Sequence, residues 1–183
     1  QDFPNKPIRI LVGASAGGLE ALERFLGHVP VNCGMAFVIV RHLDPTHKGI
    51  MPELLQRATG RKVIQVRDRT RVSPDTVYVI PPNRDMSILH GVLHLLEPAS
   101  PRGLRLPIDF FFRSLARDQS ARAICIVLSG TGSDGVAGCR AIRAAGGLTL
   151  AQLPTEAKYD GMPAAVIAAG LADQIVSVED VGE

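Results

Sequence analysis

Ser15, His42 and Asp134 are the residues of this chain whose types and placement could do covalent chemistry. Ser15 sits in Gly13-Ala14-Ser15-Ala16-Gly17-Gly18, after apolar Ile8, Ile10, Leu11 and Val12 and before Leu19, Leu22, Phe25 and Leu26, which recur at helical spacing. Three glycines around one serine predict a sharp strand-to-helix turn that exposes the hydroxyl beside helix N–H groups lacking intrahelical partners. That setting suits a nucleophile whose developing oxyanion needs backbone donors. His42 follows the apolar run Ala36-Phe37-Val38-Ile39-Val40, within Arg41-His42-Leu43-Asp44-Pro45. Asp134 follows Ile124-Cys125-Ile126-Val127-Leu128, inside a second glycine-rich turn, Ser129-Gly130-Thr131-Gly132-Ser133-Asp134-Gly135. Taken singly, each has a plain structural reading: a helix cap, a packing imidazole, an acid at a helix N-terminus. A hydroxyl, an imidazole and a carboxylate at three strand ends are instead the parts of a nucleophile, a general base and an orienting acid. As a strand-end group, Asp134 is expected to face solvent.

The elements that must position these residues read as α/β. Strand-like runs cover residues 8–12, 36–40, 63–66, 76–80, 124–128, 148–151 and 174–176, and helical patterns cover 18–26, 51–58, 108–119 and 135–145. Several strands are continuously apolar, as expected when helices cover both faces. The alternation predicts a doubly wound, mainly parallel, Rossmann-like sheet flanked by helices, with ligands beyond the carboxyl ends of its strands. Residues 86–90 and 92–96, separated by Gly91, read as a small antiparallel hairpin beside that sheet. The stretch 97–103 is a loop by its Pro, Ser and Gly content.

Composition narrows the function further. With 183 residues, 46% hydrophobic and 21% charged, the chain reads as a single domain spanning 1–183, residues 1–7 being a linker remnant. A net charge of +2 and the absence of Trp argue against a nucleic-acid partner. No apolar run approaches the ~20 residues of a membrane span, so no membrane insertion is expected. Cys33, Cys125 and Cys139 read as reduced core thiols of a cytoplasmic protein. A dinucleotide loop is disfavoured because serine replaces the middle glycine and no acid ends the second strand. His42, Asp44 and His47 could be offered to a metal, but no further strong ligand accompanies them, and neither metal nor organic cofactor is expected. His47 is the nearest rival imidazole; His28 ends the first helix, and His90 and His94 lie in the hairpin. A non-catalytic binding or signalling domain is the alternative reading, though it would need none of the three groups together.

Read in order, these segments resemble the catalytic domain of the chemotaxis protein-glutamate methylesterases, CheB, over residues 8–180. The resemblance rests on the two glycine-rich turns and Arg41-His42-Leu43. It is supported by Tyr78-Val79-Ile80-Pro81-Pro82, Ile108-Asp109-Phe110-Phe111-Phe112-Arg113-Ser114-Leu115 and Asp160-Gly161-Met162-Pro163. It implies hydrolysis of glutamyl methyl esters on the cytoplasmic helices of methylated chemoreceptors, and deamidation of certain receptor glutamines. It also implies roles: Ser15 as nucleophile, His42 as base, Asp134 as orienting acid, and backbone support of the oxyanion from Ala16, Gly17 and Thr131. Thr131 stands where the family often has methionine, and Ala16 where it often has threonine. The wording around Thr131 and Asp160 is closer to versions fused to methyltransferase and sensor modules. Many members carry a regulatory receiver domain; here the first strand ends in Gly13-Ala14-Ser15 without a receiver's acidic residues, so the chain reads as the effector alone.

Overall fold

The computed structural model describes residues 9–16, 19–42, 50–98, 101 and 105–181. In chain order the first elements are β1 (Ile10–Ala16), α1 (Glu20–His28), β2 (Ala36–Arg41), α2 (Met51–Gln56), β3 (Lys62–Gln65), β4 (Thr70–Arg71) and β5 (Thr76–Val79). There follow β6 (Asp85–Leu89), β7 (Val92–Leu96), α3 (Pro107–Gln119), β8 (Ala123–Gly130), α4 (Val136–Ala144), β9 (Leu148–Gln152), α5 (Gly161–Ala168) and β10 (Gln174–Val176). Seven strands form one parallel sheet in the order β10-β9-β8-β1-β2-β5-β3, and β4-β7-β6 form a small antiparallel sheet.

The chain builds outward from β1 through β2 on one side, then returns to build β8, β9 and β10 on the other. The strand order therefore reverses between β1 and β8, the position where open α/β sheets form their ligand crevice. His42, Ser15 and the β8–α4 turn all lie at this edge.

The period-two alternation of a strand explains why the runs are apolar throughout. On one face Val12, Ala14, Val38, Val40, Cys125 and Val127 pack with Ile108, Phe111 and Phe112 of α3, Ile142 of α4 and Met162 of α5. On the other face Phe37, Ile39, Ile126 and Leu128 pack with Leu22, Phe25 and Leu26 of α1 and Leu55 of α2. Each fully buried side chain of this size contributes roughly 1.5–3 kcal/mol, so both faces anchor the sheet. The antiparallel sheet closes over α3 through Met86, Ile88 and Leu93. Its hairpin turns at His90 and Gly91, both at positive φ (51° and 72°), the backbone a two-residue turn requires. Asp118 of α3 accepts from both turn N–H groups, at 2.6 and 3.1 Å.

The structure departs from the sequence expectations in several places. β1 runs on to Ala16 rather than stopping at Val12, because its parallel pairing with β2 continues through Ser15↔Arg41. His90 belongs to the hairpin turn, not to its first strand. Two elements were not anticipated: β4, too short for any periodicity, and α5, whose all-round apolar composition and internal Pro163 hide a helix. Pro163 is accommodated because the first-turn N–H groups of a helix need no intrahelical acceptor. Cys125 and Cys139 are buried as expected, their Sγ atoms 3.8 Å apart, and burial pushes the Cys125 thiol well up. Cys33 is exposed, contrary to expectation, near Asp75 and Arg61 rather than in the core. Residues 1–7, and most of the predicted 97–103 loop, lie outside the described residues.

Candidate active site

The edge where the strand order reverses brings Ser15, His42 and Asp134 together. Ser15 pairs with Arg41 across β1 and β2, and the His42 N–H donates to the Ser15 carbonyl at 3.1 Å. The sheet ladder thus sets the serine beside the residue that carries the imidazole. His42 Nε2 lies 2.7 Å from Asp134 Oδ2, with the imidazole 37% exposed and the carboxylate 3% exposed. An ionised carboxylate can only accept, so this contact calls for a ring proton on Nε2, and in the neutral form of such a ring Nδ1 is the nitrogen that bears the lone pair.

Two expectations about exposure are corrected. Ser15 is fully buried within β1 rather than displayed on a turn, and its hydroxyl donates to the Ser129 carbonyl at 2.8 Å. The pairing of β1 on both sides with β2 and β8 encloses it. Asp134 does not face solvent: it is 4% exposed, because the N-terminus of α3 closes over it. Its Oδ2 accepts from Ile108 N at 3.0 Å and its Oδ1 from Asp109 N at 2.8 Å, both first-turn donors of α3. Those N–H groups have no intrahelical acceptor, and the helix dipole favours an anion there.

Asp109 completes a reciprocal arrangement. It lies in the first turn of α3, yet its Oδ1 accepts from Gly135 N at 2.9 Å and Gly138 N at 2.7 Å, at the start of α4. Each acid therefore caps the helix on which the other sits or leads. Burial, with the neighbouring Asp134 charge, pushes the Asp109 carboxyl above the ordinary carboxylate value against the opposing pull of the Gly138 and Gly135 N–H groups. Gly138 makes the close approach possible. A Cβ there would meet Phe112 Cβ at 2.6 Å and Asp109 Oδ1 at 3.1 Å.

Of the candidate oxyanion donors, Ala16 follows the serine on β1 and Thr131 follows the end of β8. Ala16 pairs with Gly130, the residue before Thr131, after a register shift in which β1 advances two residues from Ala14 while β8 advances three from Val127. Such a bulge disrupts the ladder locally and frees backbone groups at a strand end. Gly161 backs this loop: a Cβ at that position would lie 3.3 Å from both Gly130 O and Gly132 N. The glycine of Asp160-Gly161-Met162-Pro163 is thereby explained by contact with the Thr131 turn. Gly17, Asp44 and His47 lie outside the described residues. His28 contacts the Arg24 carbonyl at 2.7 Å on the exposed end of α1, His90 lies in the hairpin turn and His94 on β7, so none of these three joins Asp134.

Sequence reasoning missed the supporting residues Asp109, Ser129 and Gln152. Ser129 accepts from Ser15 through its carbonyl and from Tyr159 N through its Oγ at 2.9 Å, and it donates its N–H to buried Gln152 Oε1 at 2.8 Å. Gln152 ends β9, so the same attention to strand ends could have found it. Asp109 had a subtler signal, an acid on the mostly apolar face of α3.

Comparison with known proteins gives this edge a family. A profile described as CheB methylesterase matches residues 10–183. A protein-glutamate methylesterase/protein-glutamine glutaminase of Maricaulis maris is 34% identical over 181 residues, covering 97% of this chain and 45% of that protein. An uncharacterized 104.1 kDa protein of Rhodobacter capsulatus is 46% identical over 132 residues, covering 72% of this chain but 14% of that protein. The chain thus spans less than half the length of either relative. The crystal structure of the Thermotoga maritima CheB methylesterase catalytic domain superposes with a TM-score of 0.84, covering 94% of each chain at 24% identity, and so shares the fold. On the match across nearly all of its residues, this chain belongs to the CheB methylesterase family.

Proposed function

We propose that this domain hydrolyses glutamyl methyl esters on the cytoplasmic helices of chemoreceptors, and deamidates glutamines at such positions, by serine acyl transfer. The observation that carries this reading is the 2.7 Å contact of His42 Nε2 with Asp134, at the strand end beside Ser15. With Nε2 held by Asp134, Nδ1 is the nitrogen that serves the serine. The Ser15 O–H turns from the Ser129 carbonyl toward Nδ1, and Oγ attacks the ester carbonyl as Nδ1 takes the proton. Backbone N–H groups of Ala16, Gly17 and Thr131 hold the oxyanion, each donor contributing about 3 kcal/mol in the transition state. The C–O bond then breaks, and methanol leaves with the proton returned from Nδ1. Water, deprotonated by Nδ1, cleaves the glutamyl-serine ester and regenerates the hydroxyl. For a glutamine side chain the leaving group is ammonia. Exposed Leu106, just before α3, and Tyr159, bonded to the Ser129–Gly130 strand end, offer apolar contacts suited to a helical protein substrate.

Methanol release from a methylated receptor tests the reading. Ser15→Ala abolishes it, while the hydrogen bond lost to the Ser129 carbonyl costs about 1 kcal/mol of stability. Activity in that variant above about one tenth of wild type refutes the nucleophile.

A further inference from the structure

The Ser15 hydroxyl has one proton, and it is given to a backbone carbonyl, that of Ser129, at 2.8 Å. Whatever holds that carbonyl therefore takes part in placing the serine. The β8–β9 ladder runs to Val127↔Ala151, and the β1–β8 register shifts between Ala14 and Ala16. Ser129 lies past the first and within the second, where ladder bonds do not fix the backbone. Other contacts fix it instead. The Ser129 N–H donates to Gln152 Oε1 at 2.8 Å, the Tyr159 N–H donates to Ser129 Oγ at 2.9 Å, and the Gly130 N–H donates to the Tyr159 carbonyl at 2.8 Å. The Gln152 side chain is buried, and its backbone is held by β10, through Val176↔Gln152 and Leu153 N to the Val176 carbonyl at 2.8 Å. A neutral amide suits the place: Glu20 and Glu156 already line the cleft that Gln152 borders with Arg24 and Lys158, and an amide oxygen accepts without adding charge.

We propose that Gln152 is a positioning residue of this site: by holding the Ser129 backbone it sets the carbonyl on which the Ser15 hydroxyl rests before His42 takes its proton. The same backbone leads into Gly130, which pairs with Ala16, and then Thr131, so the anchor also fixes the turn that carries a candidate oxyanion donor. Gln152 acts through Ser129, the residue it bonds. Without its oxygen a buried N–H is left unmet, and the backbone rearranges to find another partner. The carbonyl of the same residue moves with it. The kinetic consequence rests on the methylesterase reading, but the placement itself can be read without any turnover.

The test compares Gln152→Met with Gln152→Glu. Methionine keeps the length and removes the acceptor; glutamate keeps an oxygen for the Ser129 N–H in either protonation state. In methanol release from a methylated receptor, Gln152→Met lowers kcat by about tenfold with KM changed less than about threefold, and Gln152→Glu restores most of the loss. By NMR, amide exchange at Ser129 speeds by about tenfold or more in Gln152→Met. The Ser129 carbonyl carbon then shifts in the direction seen in Ser15→Ala, where the hydroxyl is gone. Gln152→Glu leaves both signals near wild type. A wild-type kcat in Gln152→Met, a loss carried by KM, a Gln152→Glu variant as slow as Gln152→Met, or unmoved Ser129 signals overturns the proposal. Should Gln152→Met fail to fold, Gln152→Asn, whose oxygen is withdrawn by one methylene, takes its place with the same expected outcomes. A wild-type protein that releases no methanol defeats the methylesterase reading and leaves the two Ser129 signals to decide this one.

Discussion

Replacing Asp134 with asparagine separates the two tasks that the structure gives this residue. The carboxylate accepts from His42 and Ile108 on Oδ2 and from Asp109 N on Oδ1. An asparagine has one oxygen. If it turns that oxygen to His42 and Ile108, its NH2 confronts the Asp109 N–H; if it turns the other way, two donors lose their acceptor. The better choice still strands one buried donor, at about 1–3 kcal/mol. It also converts charge-assisted bonds into neutral ones of roughly half the strength. Relief of repulsion within the acid pair returns a fraction. The expected loss is about 2–4 kcal/mol, or roughly 5–15 °C in Tm for a domain of this size. The rate is expected to fall by about 10²–10⁴, by analogy with triads that lose the acid and misorient the imidazole. Urea unfolding followed by circular dichroism gives the first quantity; methanol release, at a temperature where both proteins are folded, gives the second. A variant within about 0.5 kcal/mol of wild-type stability would refute the reasoning, because a buried carboxylate with three donors cannot be replaced so cheaply. An unchanged rate would instead locate the orienting acid elsewhere.

Gly138→Ala sets two known effects against each other. Alanine gains up to about 1 kcal/mol in helix propensity, but its Cβ must fit 2.6 Å from Phe112 Cβ and 3.1 Å from Asp109 Oδ1. Net destabilisation of about 1–2 kcal/mol is expected in chemical denaturation, with slower ester hydrolysis as α4 is pushed off the acid pair; a stabilised variant would show that the helices are not in contact there. Asp118 predicts a pH effect. Burial pushes its carboxyl up, but the Gln119 amide and the Gly91 and His90 N–H groups more than offset this and hold it below the ordinary value. A depressed carboxyl contributes stability that is present above the unfolded-state pKa and lost as pH falls through the folded one. Urea titrations at pH 7 and pH 3 should therefore show a smaller acid-induced loss in Asp118→Asn than in wild type, and equal losses would contradict the assignment.

The amino-acid sequence by itself determined the layers of this protein and which end of the sheet gathers the candidate residues. Continuous apolar runs such as 36–40 and 124–128 can be buried only between two helical layers, and a parallel sheet delivers whatever follows each run to one edge. Ser15, His42 and Asp134 were legible for that reason, as was the small antiparallel hairpin. Only the tertiary structure decided how these groups meet. His42 and Asp134 are separated by 92 residues, and nothing local to either states which ring nitrogen faces the acid or that the acid is buried. Burial of Ser15 came from pairing β1 on both sides, and burial of Asp134 from a helix whose N-terminal donors lie about 25 residues earlier. Asp109 was visible only as an acid on an apolar face. Its role depends on the α3–α4 approach that Gly138 permits, a distance no periodicity encodes. Sequence patterns record what each segment must bury; the register between strands and the spacing between helices determine which polar groups that burial forces together.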